Sequence, residues 1–453
     1  MIVMKFGGTS LGTPERIQRA AQLVVERLGK RPLVVLSALS GVTNALLKAA
    51  EDAYQGRVDV MPLIKRHREV CEALGVESEL VTPLLLELKD LLKGISLVRE
   101  LTQRSLDFVA SFGERSSVEI FAAYLRKLDK GARAYPAWEL GLMTDDEFGS
   151  AHPLPEAEAL IVSKIQSLPD DVVPIVTGYI AKDRAGEITT LGRNGSDFTA
   201  TIFGAACEVE EVQIWTDVDG VMTADPGLVP EASSLEMLTY DEAAELAYYG
   251  GRVLHPATLS PAMKKDIPVR VLNTMHPEHP GTRIVRQRTP EQSAEAGPVQ
   301  SIVYKEDQVL IHVTSARMLM QHGYMARVFE ILGEHQVVIN MIATSEVSIS
   351  MTTDSMAGLN EAVRDLEEVA EVRIETEKTI VGVVGQGISV STELPAEILA
   401  VVREAGVNVR MVSLGASKVN VTFLIDNAHI PKTIAALHRR FFSSEPVSKQ
   451  LGS

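Results

Sequence analysis

The C-terminal part of the chain is an internal repeat, in which corresponding segments lie about 71 residues apart. Each copy predicts a strand, a helix, two strands and a second helix, and the helices carry apolar stripes that suit a core. The repeat therefore predicts two similar α+β domains. The predicted strands are 309–313, 337–342 and 347–352 in the first copy and 380–384, 407–412 and 419–425 in the second, with helices 324–332, 359–369, 396–405 and 430–441.

The first part of the chain alternates strands with helices instead. Strands are predicted at 2–6, 33–36, 173–176 and 212–215, and the segment 61–130 is mostly helical. The continuous apolar run 33–36 suits a strand that is buried on both faces, so the alternation predicts an α/β fold with a largely parallel sheet covered by helices. The composition changes at 277–298, which is rich in Pro, Gly, Glu and Gln. We therefore predict three domains, at 1–290, 300–376 and 377–447.

Charge and cysteine content exclude several classes of function. The 453 residues include 44 Lys and Arg against 60 Asp and Glu, a net charge of −16. This balance argues against nucleic acid or an anionic membrane as the main partner. Two cysteines, Cys71 and Cys207, cannot build a disulfide framework or a Cys-rich zinc site. Without a signal-like or membrane-spanning segment in the sequence, we expect a cytoplasmic protein.

Two glycine-containing loops are candidate anion sites. Gly7 and Gly8 follow the first strand, where backbone N–H groups can face a phosphate, and Lys5 adds a charge beside them. The alternative is an ordinary strand-to-helix turn. In the second loop, Arg193 suits a carboxylate, and either Ser196 or Asp197 is expected to cap the following helix; the alternative is a capped loop with a solvated arginine.

Weaker candidates accompany these loops. The turn 215–221 places two aspartates after a strand, where they suit a ribose or the waters of Mg²⁺, and Arg252 lies between a glycine pair and a proline. Glu114 is expected to open a helix, where the helix dipole alone favours a carboxylate. An acidic turn, a surface arginine and a helix-stabilising carboxylate are the alternatives. His276 and His279 lie in a proline-rich turn without a third ligand, so no protein metal site is predicted.

Six motifs in register resemble the aspartate kinase family, in particular its monofunctional, lysine-sensitive type. They are KFGGTS at 5–10, LSALSGVTN at 36–44, FGER at 112–115, LGRNGSDFTA at 191–200, WTDVDGV at 215–221 and GGRVLHPATL at 250–259. The repeated C-terminal copies resemble the paired ACT regulatory domains of that family. The resemblance implies an amino-acid-kinase-type sheet sandwiched by helices, followed by two ACT-like βαββαβ domains.

The resemblance implies transfer of the ATP γ-phosphate to the side chain of L-aspartate, the first step of lysine, threonine and methionine biosynthesis. It implies that Lys5 and Asp197 are catalytic, with Asp197 orienting Lys5. It assigns the α-carboxylate to Arg193 and the α-amino group to Glu114, and it implies that Mg²⁺ is held mainly by ATP. The other aspartate contacts it implies are Ser37, Thr43 and Ser196, and the ATP contacts are Lys5, Gly7, Gly8, Thr216, Asp217, Met222, Arg252 and Val253.

Regulation is also implied by the resemblance, through an amino-acid effector and a homodimer or higher homo-oligomer formed by the ACT domains. Met320 and Asn340 replace a histidine and an aspartate of the lysine-sensitive pattern, so threonine rivals lysine as the effector. Near the nucleotide, Met222, Gly227 and Arg252 replace a tyrosine, an arginine and a lysine. The implied effector residues are Met318, Gly323, Tyr324, Met325, Asn340, Thr344 and Ser345.

Two other interpretations stay open at this stage. One is another amino-acid or nucleotide kinase of the same superfamily; the pairing of Glu114 with Arg193, together with the ACT pair, favours a free amino acid over a nucleotide as its substrate. The other is a non-catalytic amino-acid sensor with a degenerate kinase domain, which the presence of Lys5, Arg193 and Asp197 opposes.

Overall fold

The computed structural model describes residues 1–249, 256–319, 322–389, 391–414 and 419–443. The chain divides into two compact units. Of the described residues, the first unit comprises 1–221, 236–244 and 256–287, and the second comprises 222–235, 245–249 and those from 288 onward.

The first unit alternates strands and helices as predicted. Its strands are β1 Ile2–Phe6, β2 Pro32–Leu36, β3 Ala132–Tyr135, β4 Val173–Thr177, β5 Ile180–Lys182, β6 Ile188–Thr190, β7 Glu211–Thr216, β8 Met237–Thr239, β9 Val269–Asn273 and β10 Thr282–Val285. Its helices are α1 Pro14–Glu26, α2 Val42–Tyr54, α3 Met61–Leu74, α4 Thr82–Val98, α5 Gln103–Lys127, α6 Ala157–Gln166, α7 Gly195–Ala206 and α9 Pro256–Lys265, while α8 Tyr240–Tyr248 runs on into the second unit.

Eight of these strands form one sheet in the order β3-β4-β2-β1-β7-β9-β10-β8. Its neighbouring strands run parallel, except that β10 is antiparallel to β9. All five residues of both β1 and β2 are buried, as expected for central strands covered on both faces. The predicted α/β fold with a largely parallel sheet is therefore confirmed.

Two sequence-based expectations about helix ends are wrong. Helix α5 begins at Gln103, where the Thr102 side chain accepts a hydrogen bond from the Ser105 N–H, so Glu114 lies in the middle of the helix and does not open it. The helix dipole at an N-terminus therefore does not account for Glu114. Helix α7 follows Asn194, whose φ of 56° is left-handed, and no side chain caps it, so Ser196 and Asp197 lie within its first turn.

The second unit contains both repeats. Its strands are β11 Ser301–Thr314, β12 Met341–Thr344, β13 Ser348–Thr353, β14 Glu371–Val384, β15 Met411–Ser413 and β16 Asn420–Asp426. The strands predicted at 337–342 and 407–412 form only from Met341 and Met411. The helices are α10 Pro290–Ala296, α11 Tyr324–Glu334, α12 Leu359–Glu367, α13 Leu394–Glu404 and α14 Ile430–Phe442.

The two repeats share a single antiparallel sheet, in the order β12-β13-β11-β14-β16-β15. Strand β11 is longer than the predicted 309–313, because its leading residues 301–305 pair with 380–384 of β14. Its later residues 310–314 pair with 371–375, at the other end of the same strand. Ile302 accordingly packs in the core of the second repeat, and the predicted division between residues 376 and 377 falls inside β14.

None of the helices in the described ranges combines the length and the apolar character that crossing a membrane requires.

Candidate active site

The candidate site lies where five neighbouring strands of the first sheet end. Strands β4, β2, β1, β7 and β9 are parallel, so their carboxyl ends meet at one edge. Phe6, the last residue of β1, pairs with Leu36 on one side and with Trp215 on the other. The turn after β1 therefore lies between the residues that follow β2 and those that follow β7, at the edge where parallel sheets bind ligands.

Lys5 and Asp197 form a buried ion pair at this edge. Lys5 is 9% exposed on the otherwise apolar strand β1, and its Nζ lies 2.6 Å from Oδ1 of Asp197. Asp197 is 7% exposed in the first turn of α7. Lysine is rarely buried unless it is paired, so this carboxylate compensates the burial and fixes the direction of the ammonium group. The two residues that the resemblance assigns to catalysis are thus in contact.

The glycine turn passes close to this ammonium group. The Gly7 N–H donates to the Trp215 carbonyl at 3.2 Å. A Cβ atom on Gly7 would lie 3.4 Å from the Lys5 Nζ, and a Cβ atom on Gly8 would lie 3.2 Å from the Ala38 carbonyl oxygen. A side chain at position 7 would therefore crowd the Lys5 ammonium group, and one at position 8 would crowd the backbone that follows β2. Because the Gly7 N–H is bound to the Trp215 carbonyl, it does not face a phosphate as the sequence predicted.

Glu114 brings a second buried carboxylate to the edge. It is 3% exposed, and its Oε1 accepts a hydrogen bond from the Ala38 N–H at 3.0 Å. Its Oε2 is buried and has no hydrogen-bond partner among the described residues. Burial raises the pKa of Glu114 to about 8, against the opposing influence of the Ala38 N–H and the Lys5 charge. The unpartnered oxygen is suited to a cationic ligand group.

Arg193 and Ser196 stand on the loop and the first turn that lead into α7. Arg193 is exposed and makes no ion pair within the part of the chain that the structure describes. Ser196 is buried and packs on Gly178, where a Cβ atom would lie 2.6 Å from the serine Oγ. The loop therefore offers a guanidinium without an ion-pair partner in the described ranges, three residues before a buried serine.

The remaining aspartate candidates follow β2. The Ser37 N–H donates to the Phe6 carbonyl at 3.1 Å, which fixes the chain beside the glycine turn. Thr43 is half-buried in the first turn of α2. Ser37 directly precedes Ala38, whose N–H is bound to Glu114.

The nucleotide candidates are only partly located by the structure. Thr216 ends β7, where its hydroxyl donates to Oδ1 of Asp217 at 3.2 Å, and Asp217 is exposed. Met222 belongs to the second unit, where its carbonyl accepts a hydrogen bond from the Ser301 hydroxyl at 2.8 Å. Arg252 and Val253, with the rest of the 250–255 segment, lie outside the described residues.

A separate cavity of about 520 Å³ lies in the first repeat, next to the start of α11. Asn340 is not among the described residues that line this cavity, and its side chain donates to Gln308 at 2.9 Å. Thr344 is exposed at the end of β12, directly before the lining residue Ser345. Met320 lies outside the described residues. Five predicted effector residues line the cavity, namely Met318, Gly323, Tyr324, Met325 and Ser345, together with Leu319, Ala326 and Glu346.

Several residues at these sites escaped the sequence reasoning. Gly178 follows β4 and allows Ser196 to approach, and Gly113 allows α5 to approach Ala38, whose Cβ would lie 2.6 Å from a Cβ added to the glycine. Tyr179 has a left-handed φ of 67°, and its N–H donates to the Thr199 hydroxyl. A glycine directly after a predicted strand was a usable signal for Gly178. The position of Glu346 on the effector cavity had no sequence signal.

Comparison with protein families agrees with this division of the chain. Residues 1–273 match the model of the amino acid kinase family. Residues 311–369 and 381–441 match the model of the ACT domain. The two family models thus cover the strands that carry the candidate site and most of the two repeats.

Similar proteins match over almost the whole chain. Aspartokinase 2, chloroplastic, of Arabidopsis thaliana is 41% identical over 98% of this chain and 85% of its own length. Lysine-sensitive aspartokinase 3 of Escherichia coli is 32% identical over 98% of this chain and 99% of its own length. The crystal structures of E. coli aspartokinase III, in complex with aspartate and ADP or with lysine and aspartate, each match with a TM-score of 0.79 at 30% identity, covering 98% of this chain and 100% of the other. The chain therefore belongs to the aspartokinase family.

Proposed function

We propose that this chain transfers the γ-phosphoryl group of ATP to the side-chain carboxylate of L-aspartate, giving 4-phospho-L-aspartate and ADP. The observation that carries the proposal is that the Lys5–Asp197 ion pair and the unpartnered Oε2 of Glu114 lie at one edge of the sheet. The lysine of the ion pair provides a positive charge for a phosphate, and Glu114 provides a negative charge for an ammonium group. A kinase for a free amino acid needs both.

The chemical step needs no general base. The side chain of aspartate has a pKa of about 3.9, so its carboxylate is ionised at neutral pH. One carboxylate oxygen attacks the γ-phosphorus, and the bond from that phosphorus to the β,γ-bridging oxygen breaks, so ADP leaves with the bonding electrons. Catalysis then depends on positioning and on neutralising the charge on the transferred group. The Lys5 ammonium group supplies the neutralising positive charge, and Asp197 orients this ammonium group.

Aspartate is recognised at its α-carbon by two opposite charges. Oε2 of Glu114 accepts the α-ammonium group, and the free guanidinium of Arg193 binds the α-carboxylate. Ser37, Thr43 and Ser196 add polar contacts around the substrate. Because Glu114 is buried, a bound ammonium group lowers its pKa and fixes it as the anion.

ATP binds along the glycine turn and the end of β7. Gly7 and Gly8 lie beside the phosphates, and Thr216 and Asp217 contact the nucleoside, together with Met222, Arg252 and Val253 by the resemblance. No group of three potential metal ligands occurs among the residues that the structure describes. The nearby Asp197 is engaged by Lys5, so this donor set suits a Mg²⁺ ion that is held mainly by ATP. The ion supplies charge neutralisation to the phosphates.

We further propose that the cavity of the first repeat binds an amino-acid effector. E. coli aspartokinase III was solved with lysine. Among the described residues that line the cavity here, Glu346 supplies a carboxylate, which suits an ammonium group. Lysine offers two such groups and is our first candidate. Threonine is the rival to be tested beside it, because Asn340 and Met320 replace the residues of the lysine-sensitive pattern.

A second copy of this chain is the proposed partner of the first repeat. Large apolar side chains are exposed there on α11, on β12 and on the segments that flank β12, a pattern that indicates an interaction surface. The proposed assembly is a homodimer. These exposed side chains are Met325, Phe329, Val338, Ile342 and Val347.

The function is tested by trapping the acyl phosphate product with hydroxylamine. The purified chain, with MgATP and L-aspartate, should form the hydroxamate, and omission of either substrate should abolish it. Lysine and threonine are then titrated separately. Absence of hydroxamate from the folded wild-type chain would overturn the proposed reaction.

A further inference from the structure

Asp107 is a buried carboxylate that the proposed mechanism does not use. It lies in the second turn of α5 and is 2% exposed. Its Oδ2 accepts hydrogen bonds from the N–H groups of Gly149 at 2.8 Å and of Thr190 at 2.9 Å. Its Oδ1 accepts from the Thr190 hydroxyl at 2.9 Å and from the Gln103 amide at 3.4 Å. No cation pairs with it in the described ranges, so burial is compensated by neutral donors alone.

These donors hold two segments beside the loop 191–194, here called the arginine loop. Thr190 ends β6 and stands three residues before Arg193, so its double hydrogen bond fixes where the loop starts. Gly149 belongs to a neighbouring loop, and a Cβ atom on Gly192 would lie 3.3 Å from the Gly149 carbonyl oxygen. Asp107 therefore anchors the strand that leads to Arg193 and also the surface against which Gly192 packs.

The same helix carries Glu114. Asp107 and Glu114 are seven residues apart, close to two full helical turns, so they lie on one face of α5. Glu114 is fixed in turn by the Ala38 N–H. The helix that bears the proposed ammonium-binding carboxylate is thus tied directly to the loop that bears the proposed carboxylate-binding guanidinium.

We infer that Asp107 is a positioning residue for the amino-acid substrate, holding Arg193 at a fixed place relative to Glu114. The inference rests on the proposed function and deepens it. In this inference Asp107, a buried carboxylate that does not contact the substrate, sets the distance between the two side chains that bind the charged groups of the substrate. Its loss should weaken recognition of L-aspartate and leave ATP binding in place.

The test compares Asp107→Asn with the wild type in the hydroxamate assay. In the asparagine variant, an NH2 group replaces one of the two carboxylate oxygens. Because NH2 cannot accept a hydrogen bond from the N–H or hydroxyl groups at that position, at least one hydrogen bond is lost. We expect the KM for aspartate to rise about tenfold, while the KM for ATP stays within about twofold. The matched control is Asp183→Asn, a buried carboxylate at the β5–β6 turn that accepts one N–H, from Glu187, which asparagine can also serve.

A double-mutant cycle with Arg193→Ala separates positioning from a general structural role. If Asp107 acts through Arg193, Asp107→Asn should change kcat/KM for aspartate by less than about twofold in the Arg193→Ala background. An equal loss in both backgrounds, or equal rises in the KM values for aspartate and ATP, would overturn the inference. If Asp107→Asn fails to fold, Thr190→Val removes one hydrogen bond and should raise the aspartate KM about threefold. No change in the aspartate KM of that variant would count against the inference.

Calorimetric titration with aspartate keeps this test apart from that of the reaction. A wild-type chain that binds aspartate but forms no hydroxamate would refute the proposed function. The dissociation constants of Asp107→Asn and of its control Asp183→Asn for aspartate would still decide the role of Asp107. A weaker Asp107→Asn complex supports that role, and an unchanged one refutes it.

Discussion

Nζ of Lys5 lies 2.6 Å from Oδ1 of Asp197, and both side chains are shielded from solvent. The contact joins the central strand β1 to the first turn of α7, on which the arginine loop ends. The ammonium group that faces the proposed phosphate position is therefore held by the same helix that carries Ser196, a residue of the proposed aspartate pocket. In this proposal one helix supports both the phosphate site and the amino-acid site.

Removal of the Lys5 charge should abolish most of the activity. Lys5→Ala takes away a preorganised contact to the transferred phosphoryl group, worth about 3 kcal/mol or more, so kcat should fall at least about 100-fold. The hydroxamate assay measures this loss, and circular dichroism checks that the variant is folded. Asp197→Asn, which keeps the lysine but weakens its orientation, should lose less. Wild-type turnover in Lys5→Ala would show that the lysine is not catalytic.

Aspartate recognition should depend on pH through Glu114. Its pKa is raised to about 8 by burial, so below pH 8 the free enzyme holds a proton on Glu114 that the incoming ammonium group must displace. We expect kcat/KM for aspartate to rise by up to tenfold per pH unit toward pH 8 and then to level off. Calorimetry in two buffers of different ionisation enthalpy should detect the released proton. Glu114→Gln should bind aspartate more weakly, and its kcat/KM should no longer rise toward pH 8. If the rise persists in this variant, another group causes it.

Glycine at position 113 should be required for packing. A Cβ atom there would lie 2.6 Å from the Cβ of Ala38, so Gly113→Ala should destabilise the chain by about 1–3 kcal/mol despite the better helix propensity of alanine. Thermal unfolding measures the effect. Gly94→Ala, in the interior of α4 with no atom within 4 Å of the added Cβ, should instead stabilise by about 0.5–1 kcal/mol. Ala38→Gly in the Gly113→Ala background should recover part of the loss, and no recovery would place the strain elsewhere.

Effector inhibition should depend on the carboxylate in the cavity of the first repeat. Glu346→Gln removes the negative charge among the lining residues and should raise the lysine concentration for half-inhibition about tenfold, because a charged hydrogen bond is lost. The assay titrates lysine and threonine at fixed substrate concentrations and normalises each curve to its own uninhibited rate. Ser345→Ala, at the neighbouring lining position, removes a hydroxyl but no charge and should shift the curve less. An unchanged lysine curve for Glu346→Gln would place the effector elsewhere.

Local patterns were sufficient for most of the fold. The helices predicted at 324–332 and 430–441 are found as Tyr324–Glu334 and Ile430–Phe442, because a wide apolar stripe and a turn residue define a helix without tertiary context. The strand 2–6 and the glycine turn after it could likewise be predicted. In the candidate site, the contact between Lys5 and Asp197 was implied by the family resemblance, whereas the residue pattern alone placed Asp197 as a helix cap.

What could not be predicted depends on long-range pairing and on backbone geometry. Residues 301–305 gave no separate signal, because their pairing with 380–384 is set by a strand about 80 residues away. The start of α5 at Gln103 was missed, so Glu114 was misplaced at a helix end. The hydrogen bonds of Asp107 join three segments that are far apart in the sequence, and no spacing rule reveals such a contact.

The shared strand pairing of β11 and β14 has a consequence for how such chains can recombine. The first repeat begins within β11 and ends within β14, and both strands also form part of the second repeat. Exchanging the first repeat alone would therefore cut two strands that both repeats need. Transplanting the first repeat alone into a relative would remove Ile302 from the core of the neighbour. The two repeats therefore form one structural module, and a chimaera should not be joined between them.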